Sequence, residues 1–547
     1  MAMLSTIGRS KCRLLLLAGL TLALGLTVAP SGAYAQGPGA AAAAMSSPLV
    51  VQTDKGAVRG TLSGGVREFL GIPYAAPPVG ALRWRAPRPA APWAGVRDAT
   101  SPGKLCAQFG SPGSGNPNTS TNEDCLYLNV DTPRTVRGRL PVMVWIHGGG
   151  FTGGAGSIYD GKVIAEQGNV IVVTINYRLG AFGFLALPSR DAESPGLSGD
   201  YGLEDQQAAL RWVQRNSVAF GGNPRNVTIF GESAGGAAVC ENMTSPTAAG
   251  LFQRVIAESG CLGETSGRPA AEQNGAAFAG RLGCNDAATA AACLRGKSAS
   301  DVLTAGASGA WSPVVGAAVL PLPPAQALAS GRYDHVPLLQ GTNHDEGRLF
   351  AGLRFDASGA PLTAAHYPAV IQAQVGAANA PMVLDAYPLS AYPSPDLAYA
   401  AEFTDSAFSC PALQADQLAA RSRVYGYEFS DPNAVNDIGL QFSFPLGAAH
   451  STELAYVFQR MVFLDTIPPF TPAQLHLSNQ IIRYWTNFAA TGNPNGGSAA
   501  AGPHWPRYRQ GNAQIQELVP DNTAPESAAK FAAFHHCALW ASLAGSP

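Results

Sequence analysis

The stretch Val227-Thr228-Ile229-Phe230-Gly231-Glu232-Ser233-Ala234-Gly235-Gly236-Ala237-Ala238-Val239 decides how this chain is read. Its first four residues are β-branched or aromatic, the pattern of a short buried strand. A cluster of small residues around Ser233 then marks a tight turn, and the Ala/Val run after it opens a helix. A serine at such an apex has a chemical meaning. Small residues two before and two after it are needed because the turn is strained and a Cβ at either place would meet the adjoining strand or helix. The turn lifts the hydroxyl clear of the backbone. It also leaves the amide of Ala234 at a helix N-terminus, where an unpaired N–H and the helix dipole favour a developing negative charge. An ordinary Gly-rich turn is the competing reading, and the strand and helix on either side favour a nucleophile.

Outward from this motif the chain alternates. Short apolar runs bounded by Gly, Asn or Pro fall at 142–146, 170–176, 227–230, 254–257, 336–340 and 424–429. Runs apolar on both faces suit strands buried inside a parallel sheet. Between them lie helical stretches such as 203–216, where Leu203, Ala209, Leu210 and Val213 recur at helical spacing. The expected architecture is therefore α/β, a parallel sheet covered by helices. No repeat or Pro/Gly/Ser linker divides it, and 351–410 reads as a helical excursion over the sheet's edge. Composition agrees with a packed globular chain: 547 residues, 46% hydrophobic and 13% charged. Gly (62) and Pro (42) are abundant enough to imply many long turn-rich loops, yet stay below the level of low complexity.

The N-terminus reads as an address. Arg9, Lys11 and Arg13 precede an apolar stretch at 14–28, and Ala33-Tyr34-Ala35 supplies a small-x-small cleavage pattern. Residues 1–35 are expected to be a signal peptide, 36–47 a flexible leader and 48–547 a single catalytic domain, secreted or periplasmic. The apolar stretch is too short and too broken by Gly and Thr to span a bilayer, and no later segment qualifies. Losing the three basic residues takes the formal charge from −2 to −5, which argues against nucleic acid as a partner. Export leaves eight cysteines in an oxidising compartment, so disulfides are expected, each contributing roughly 2–4 kcal/mol. Proximity favours Cys106 with Cys125 and Cys284 with Cys293; Cys410 with Cys537 and Cys240 with Cys261 rest on less. His535-His536 beside Cys537 is a poor metal site, since adjacent histidines do not easily face one ion. The Asn-x-Ser/Thr matches at Asn118, Asn226 and Asn242 are read as incidental.

Two further motifs bear on chemistry. His147-Gly148-Gly149-Gly150-Phe151 directly follows the 142–146 run, and three glycines after a buried strand let backbone N–H groups approach a ligand. Gly149, Gly150 and Ala234 would together supply three donors to an oxyanion. A phosphate-cradling loop is the alternative, but no Gly-Lys-Ser/Thr follows. An activated serine also needs a base and an orienting carboxylate, in the chain order serine, acid, histidine. Seven histidine sites follow Ser233: His335, His344, His366, His450, His476, His504 and the pair His535/His536. His450 sits in a small-residue turn opening a helix. Asp345 and Glu346, after the 336–340 run, are equal candidates for the acid by context.

Read together, FLGIPYAAPPVG (69–80), EDCLYLNV (123–130), WIHGGGF (145–151), NYRLGAFGFL (176–185), GESAGG (231–236), NHDEG (343–347) and AAHSTEL (448–454) carry a resemblance. The chain, from about 49 to 540, resembles the type-B carboxylesterases of the cholinesterase and lipase family, within the α/β-hydrolase superfamily. The resemblance implies an α/β-hydrolase fold: a large, mostly parallel central sheet flanked by helices, with helical insertions. It implies Ser233 as nucleophile, Glu346 rather than Asp345 as acid and His450 as base, with Gly149, Gly150 and Ala234 as the oxyanion hole. It implies hydrolysis of a small-molecule carboxylic ester with no metal or organic cofactor, and carries no signal for an oligomeric state. Disulfides Cys106–Cys125, Cys284–Cys293 and Cys410–Cys537 follow from the same likeness, leaving Cys240 and Cys261 over as an extra pair. Ion pairs Arg83–Glu123 and Arg178–Asp205 are implied as structural, with Glu232 and Glu453 lining the floor behind the triad. One departure stands out. Cholinesterases carry a choline-binding Trp in the loop closed by the first disulfide, whereas here 107–124 holds Phe109 as its only aromatic, which weakens a choline-ester reading. That polar loop also lacks the amphipathic stripe of an interfacially activated lipase lid. A catalytically silent binding protein is the rival class, disfavoured because serine, acid and histidine are all present.

Overall fold

Strands that are apolar on both faces need cover on both, and the chain supplies it. The computed structural model describes residues 49–543 other than 111–118, 192–197, 264, 437, 460–467 and 497–501. The expected signal peptide, the leader and Asn118 lie outside the described residues. Among the described residues eleven strands form the main sheet: β1 (Thr61–Ser63), β2 (Val66–Pro73), β3 (Tyr127–Pro133), β4 (Leu140–Ile146), β5 (Ile171–Ile175), β6 (Gly222–Glu232), β7 (Arg254–Glu258), β8 (Leu338–Asn343), β9 (Val424–Phe429), β10 (Gln514–Leu518) and β11 (Ala524–Ser527). Their spatial order is β1-β2-β3-β5-β4-β6-β7-β8-β9-β10-β11. From β5 to β10 every neighbouring pair is parallel. The flanking pairs β1–β2, β2–β3, β3–β5 and β10–β11 are antiparallel. The sheet is thus mixed and mostly parallel, as expected, with antiparallel margins that the apolar runs did not reveal.

The strand pleat sorts side chains between two cores. Val142, Val144, Ile146 and Ile229 enter one, which also takes Leu203, Leu210 and Val213 of α1 (Tyr201–Phe220) and Ala237 and Val239 of α2 (Ala234–Thr244). Met143, Trp145, Phe230, Ile256 and Leu339 enter the other, with Leu477, Ile481, Trp485 and Phe488 of α3 (Pro472–Thr491). Residues two apart face one way and their neighbours the other, so both layers draw on the same strands. Helix ends obey local chemistry: Thr471 and Gln474 form a reciprocal capping box ahead of Pro472, and Gly492 closes α3 at φ 73°.

Strand limits differ instructively from the sequence reading. The run expected at 336–340 is strand only from Leu338, because Pro337 has no N–H to give the ladder, and it continues to Asn343. The first three residues of NHDEG therefore straddle a strand end rather than follow it. The 351–410 excursion is helical, with segments Tyr367–Val375, Ala380–Ala386 and Pro395–Thr404 around a core of Phe355, Tyr367, Ile371, Val383, Tyr387 and Tyr399. Asn242, one of the Asn-x-Thr matches, is fully buried and donates to Gln206 Oε1 and Ala238 O, so no glycan fits there.

All four disulfides form: Cys106–Cys125, Cys240–Cys261, Cys284–Cys293 and Cys410–Cys537. Four bridges point to an oxidising compartment. Both implied ion pairs are present, Arg178 forking onto buried Asp205 at 2.7 and 2.8 Å and Arg83 onto Glu123. Removing one partner of such a pair would strand a buried charge at a cost of about 3–5 kcal/mol.

The C-terminal segment is fixed by a second charged cluster. His535 Nδ1 lies 2.6 Å from Asp405 Oδ1 and Nε2 lies 2.8 Å from Glu428 Oε1, so both ring nitrogens donate and the ring is an imidazolium. Burial opposes that charge, but the bonds to Asp405 and Glu428 prevail and raise the pKa to about 9. A folded pKa above the unfolded value stabilises fully below about 6.5, and that stabilisation is lost as pH rises through about 9. Thermal melts should therefore show Tm falling from pH 7 to 10, reflecting on the order of 3 kcal/mol. His535→Gln should lower Tm at pH 7 and flatten that decline; an unchanged pH dependence would contradict the assignment.

Candidate active site

Ser233 occupies the single residue between β6 and α2 at φ 58°, ψ −125°, a conformation that L-residues rarely adopt. The surroundings enforce it. Ser233 N donates to Glu258 O (2.9 Å) on β7, and its carbonyl accepts from Ala237 N (2.9 Å). Neither Gly231 nor Gly235 could be larger: a Cβ at Gly231 would lie 2.5 Å from Ile146 O, and one at Gly235 would lie 2.0 Å from the same oxygen. The spacing of small residues in the sequence thus reflects direct contact between the turn and the end of β4.

His450 reaches this serine from the turn ahead of the helix Leu454–Phe458. Its Nε2 lies 2.8 Å from Ser233 Oγ, and its Nδ1–H donates to Glu346 Oε2 at 2.6 Å. Glu346 is wholly buried just past β8, and its other oxygen accepts from Asn343 N (2.8 Å) and Thr342 Oγ1 (2.9 Å). The neighbouring Asp345 turns away. It pairs with Arg348 (2.9 Å) and accepts from Ala448 N (3.1 Å), so it braces the loop carrying His450 without touching the imidazole. Context alone could not separate these two carboxylates, because adjacent residues in one turn share the same motif and point to opposite sides.

Several contributors escaped the sequence reading. Thr342 and Asn343 fix Glu346, and Asn343 Nδ2 also donates to Ala449 O (2.8 Å) and to Glu453. Phe350 and Phe408 pack on His450 with ring centroids 5.0 and 4.9 Å away. Their signal was faint: polar residues ending an otherwise apolar strand, and aromatics in a helical excursion.

The glycine loop after β4 faces the same point. Gly149 has φ 100°, and a Cβ there would lie 2.4 Å from Gly153 O, so only glycine fits. The amides of Gly149, Gly150 and Ala234 donate no hydrogen bond within the described residues. The loop is held from behind. His147 is buried, stacks on Tyr177 (4.4 Å between centroids) and donates from Nδ1 to Gly148 O (2.8 Å). Burial lowers its pKa to about 4, which keeps it neutral. Gln108, inside the Cys106–Cys125 loop, accepts from Gly154 N and donates to Gly154 O, both at 2.9 Å.

A cavity of about 460 Å³ opens onto these groups, walled by Phe109, Phe182, Val302, Trp311, Phe350 and Leu353 among others. The ionisable groups on its lining are Glu232, His450 and Tyr159. Glu232 Oε1 lies 3.1 Å from His450 Nε2. Burial lowers the His450 pKa, but Glu232 and Glu346 outweigh it and lift the ring to about 9. Behind them Glu453 is raised to about 7 by burial and Glu346, and Glu258, which accepts from Trp485 Nε1 (2.9 Å), is raised well above the carboxylate range by burial and Glu453. Among the described residues no group of three His, Cys, Asp or Glu is arranged to hold a metal, and no helix is long and apolar enough to cross a membrane. Cys537 is engaged with Cys410 and His535 with two carboxylates, which accounts for the His-His-Cys run without an ion.

Known proteins align with this arrangement along most of the chain. Residues 47–540 match the Carboxylesterase family. The para-nitrobenzyl esterase of Bacillus subtilis (strain 168) is 38% identical over 480 residues, covering 84% of this chain and 93% of that protein. The acetylcholinesterase of Bungarus fasciatus is 36% identical over 539 residues, covering 90% and 86%. A solved structure of PNB esterase superposes with a TM-score of 0.74 at 35% identity, covering 89% of this chain and 99% of that one. With the fold, the cavity and these likenesses in agreement, the chain belongs to the carboxylesterase family and is an ester-hydrolysing enzyme of that family.

Proposed function

We propose that this enzyme hydrolyses its ester in two acyl-transfer steps, with Ser233 as nucleophile, His450 as general base and acid, and Glu346 as the carboxylate that orients the imidazole. The observation that carries this reading is the unbroken hydrogen-bond chain from Ser233 Oγ through both nitrogens of His450 to Glu346, at 2.8 and 2.6 Å, beside three amides that donate no hydrogen bond among the described residues. His450 takes the hydroxyl proton as Ser233 Oγ attacks the carbonyl carbon. The amides of Gly149, Gly150 and Ala234 receive the oxyanion, and His450 returns the proton to the departing alcohol. Water then repeats the sequence on the acyl-serine and releases the acid. No cofactor enters either step.

The cavity favours a small, largely apolar ester. Its aromatic and aliphatic walls bury hydrocarbon, and Glu232 disfavours an anionic substrate. The similarity to a para-nitrobenzyl esterase supports activated aryl and benzyl esters as probes, while Phe109 in place of a loop Trp speaks against choline esters. We read the enzyme as exported, cut near Ala35 and working outside the cytoplasm as a single catalytic domain from residue 48, in keeping with its four disulfides.

Ser233→Ala should lower kcat on a short-chain p-nitrophenyl ester by on the order of 10⁴–10⁶. Residual turnover within tenfold of the parent enzyme would exclude Ser233 as nucleophile. Gln108→Ala, which frees the back of the glycine loop, should lower kcat by about 10–100-fold with a smaller change in KM, since the donors it steadies matter most to the transition state. The base must be neutral to act, so kcat/KM should rise with pH through a midpoint lifted above the ordinary imidazole value, toward about 9. Glu232→Gln removes one of the charges that lift it and should move the midpoint to lower pH; a midpoint unmoved in that variant would show that Glu232 does not control the ring.

A further inference from the structure

We propose that an arginine-lined groove at the N-terminal edge of the sheet, on the side away from Ser233, binds a soluble, multiply charged oxyanion of the phosphate or sulfate class. Topology gathers the charge. Arg254 is the first residue of β7, Arg423 immediately precedes β9, and Arg507 and Arg509 lie ahead of β10. Because β7, β8, β9 and β10 are parallel neighbours, these positions share one edge. Ser233 and Glu346 follow the opposite ends of β6 and β8, so strands of five or six residues place the two edges roughly 15–20 Å apart.

A groove of about 500 Å³ on this edge is lined by Arg421, Arg507 and Arg509 with Gln417, Tyr508 and Gln510. Arg421, Arg423 and Arg509 are exposed. Arg507 is oriented by donating from Nη2 to Ser422 O (2.8 Å), and its buried Nε has no partner among the described residues. Arg423 and Arg254 flank the same turn: a Cβ on Gly492 would lie 3.0 Å from Arg423 Nη2 and 3.2 Å from Arg254 Nε. The two clusters meet at Tyr425, whose hydroxyl feels burial first and then the fields of Arg423, Arg507 and Arg509.

Among the described residues no carboxylate pairs with this charge: none of the five arginines forms an ion pair and no Asp or Glu lines the groove. The carboxyl that Tyr508 feels, Asp416, is buried against Gln340 (2.7 Å) and pushed up to about 8 by burial, so it is mostly uncharged at neutral pH. Helix ends absorb only part. Arg254 Nη1 donates to Ala489 O (3.0 Å) in the last turn of α3, Arg421 abuts Gly331 at the end of the helix Pro324–Ser330, and the helix Cys410–Leu418 ends just before Arg421. Each helix C-terminus carries only about half a negative charge, so three such ends offset roughly one and a half of five positive charges. The surplus sits in a chain whose formal net charge is −2.

The shape selects the kind of anion. Guanidinium forks match the paired oxygens of phosphate and sulfate groups. The groove is concave, and none of the exposed large apolar side chains belongs to its lining, so a flat bilayer would have neither the fit nor an anchor.

Calorimetric titration of the purified protein with sodium tripolyphosphate at low ionic strength tests this. Saturable single-site binding that weakens with added salt is expected. Arg421→Gln/Arg509→Gln should weaken it by at least about tenfold, and Arg509→Gln alone by a smaller factor, while Arg97→Gln, on the strand Val96–Asp98 of a separate three-stranded sheet, should stay within about twofold. Tm and ester hydrolysis of the double variant should match the parent, showing that binding and not folding was lost. Absence of saturable binding, equal affinity in the double variant, or sedimentation with phosphatidylglycerol vesicles without tripolyphosphate binding would overturn the proposal.

Discussion

Everything at this site depends on one backbone conformation, Ser233 held at φ 58° by contacts that leave no room for relaxation. A strained turn of this kind costs on the order of 1–3 kcal/mol and survives only where its neighbours over-determine it. Here the neighbours are the end of β4 against Gly231 and Gly235, the carbonyl of Glu258 on β7, and Gly260, whose own Cβ would lie 2.2 Å from Ser233 O. Strands on both sides of β6 therefore fix the hydroxyl, and the same turn starts α2 with the Ala234 amide, which donates no hydrogen bond among the described residues.

Convergence follows from strand order. β4, β6 and β8 deliver the glycine loop, the serine and the carboxylate at the same edge because they are parallel members of one sheet, and β9 leads to the turn bearing His450. The site then concentrates negative charge around one imidazole: Glu346 on one nitrogen, Glu232 beside the other and Glu453 behind. That arrangement stabilises an imidazolium, the state the proposed mechanism forms in its transition state, at the expense of the neutral state it starts from. The opposite edge of the sheet is the electrostatic converse, rich in arginines, so the two ends of the same parallel strands face different partners.

Much of this was legible in the residues because the physics was local. Runs apolar on both faces could only be buried strands, and the small residues around Ser233 announced a crowded turn. The pairing of Cys284 with Cys293 could be read from proximity, while that of Cys240 with Cys261, expected on weaker grounds, also forms. What escaped was set by contacts between remote segments. Pro337 displaced β8 toward Asn343, so the motif carrying Glu346 begins inside a strand. The division of labour between Asp345 and Glu346 depends on which of them Ala448 and Thr342 engage, a matter of three-dimensional placement. Gln108 gives no hint in the sequence that it steadies a glycine loop through Gly154, 46 residues away. The antiparallel margins and the arginine edge were equally invisible, since both arise from strand order.

Covalent labelling tests the role of Ser233 most directly. The protein would be treated with a p-nitrophenyl alkylphosphonate, digested and analysed by mass spectrometry. Release of one equivalent of p-nitrophenolate and one phosphonyl group on the peptide bearing Ser233 are expected. A phosphonyl group on any other residue, or an enzyme that keeps hydrolysing esters while Ser233 stays unmodified, would contradict that role.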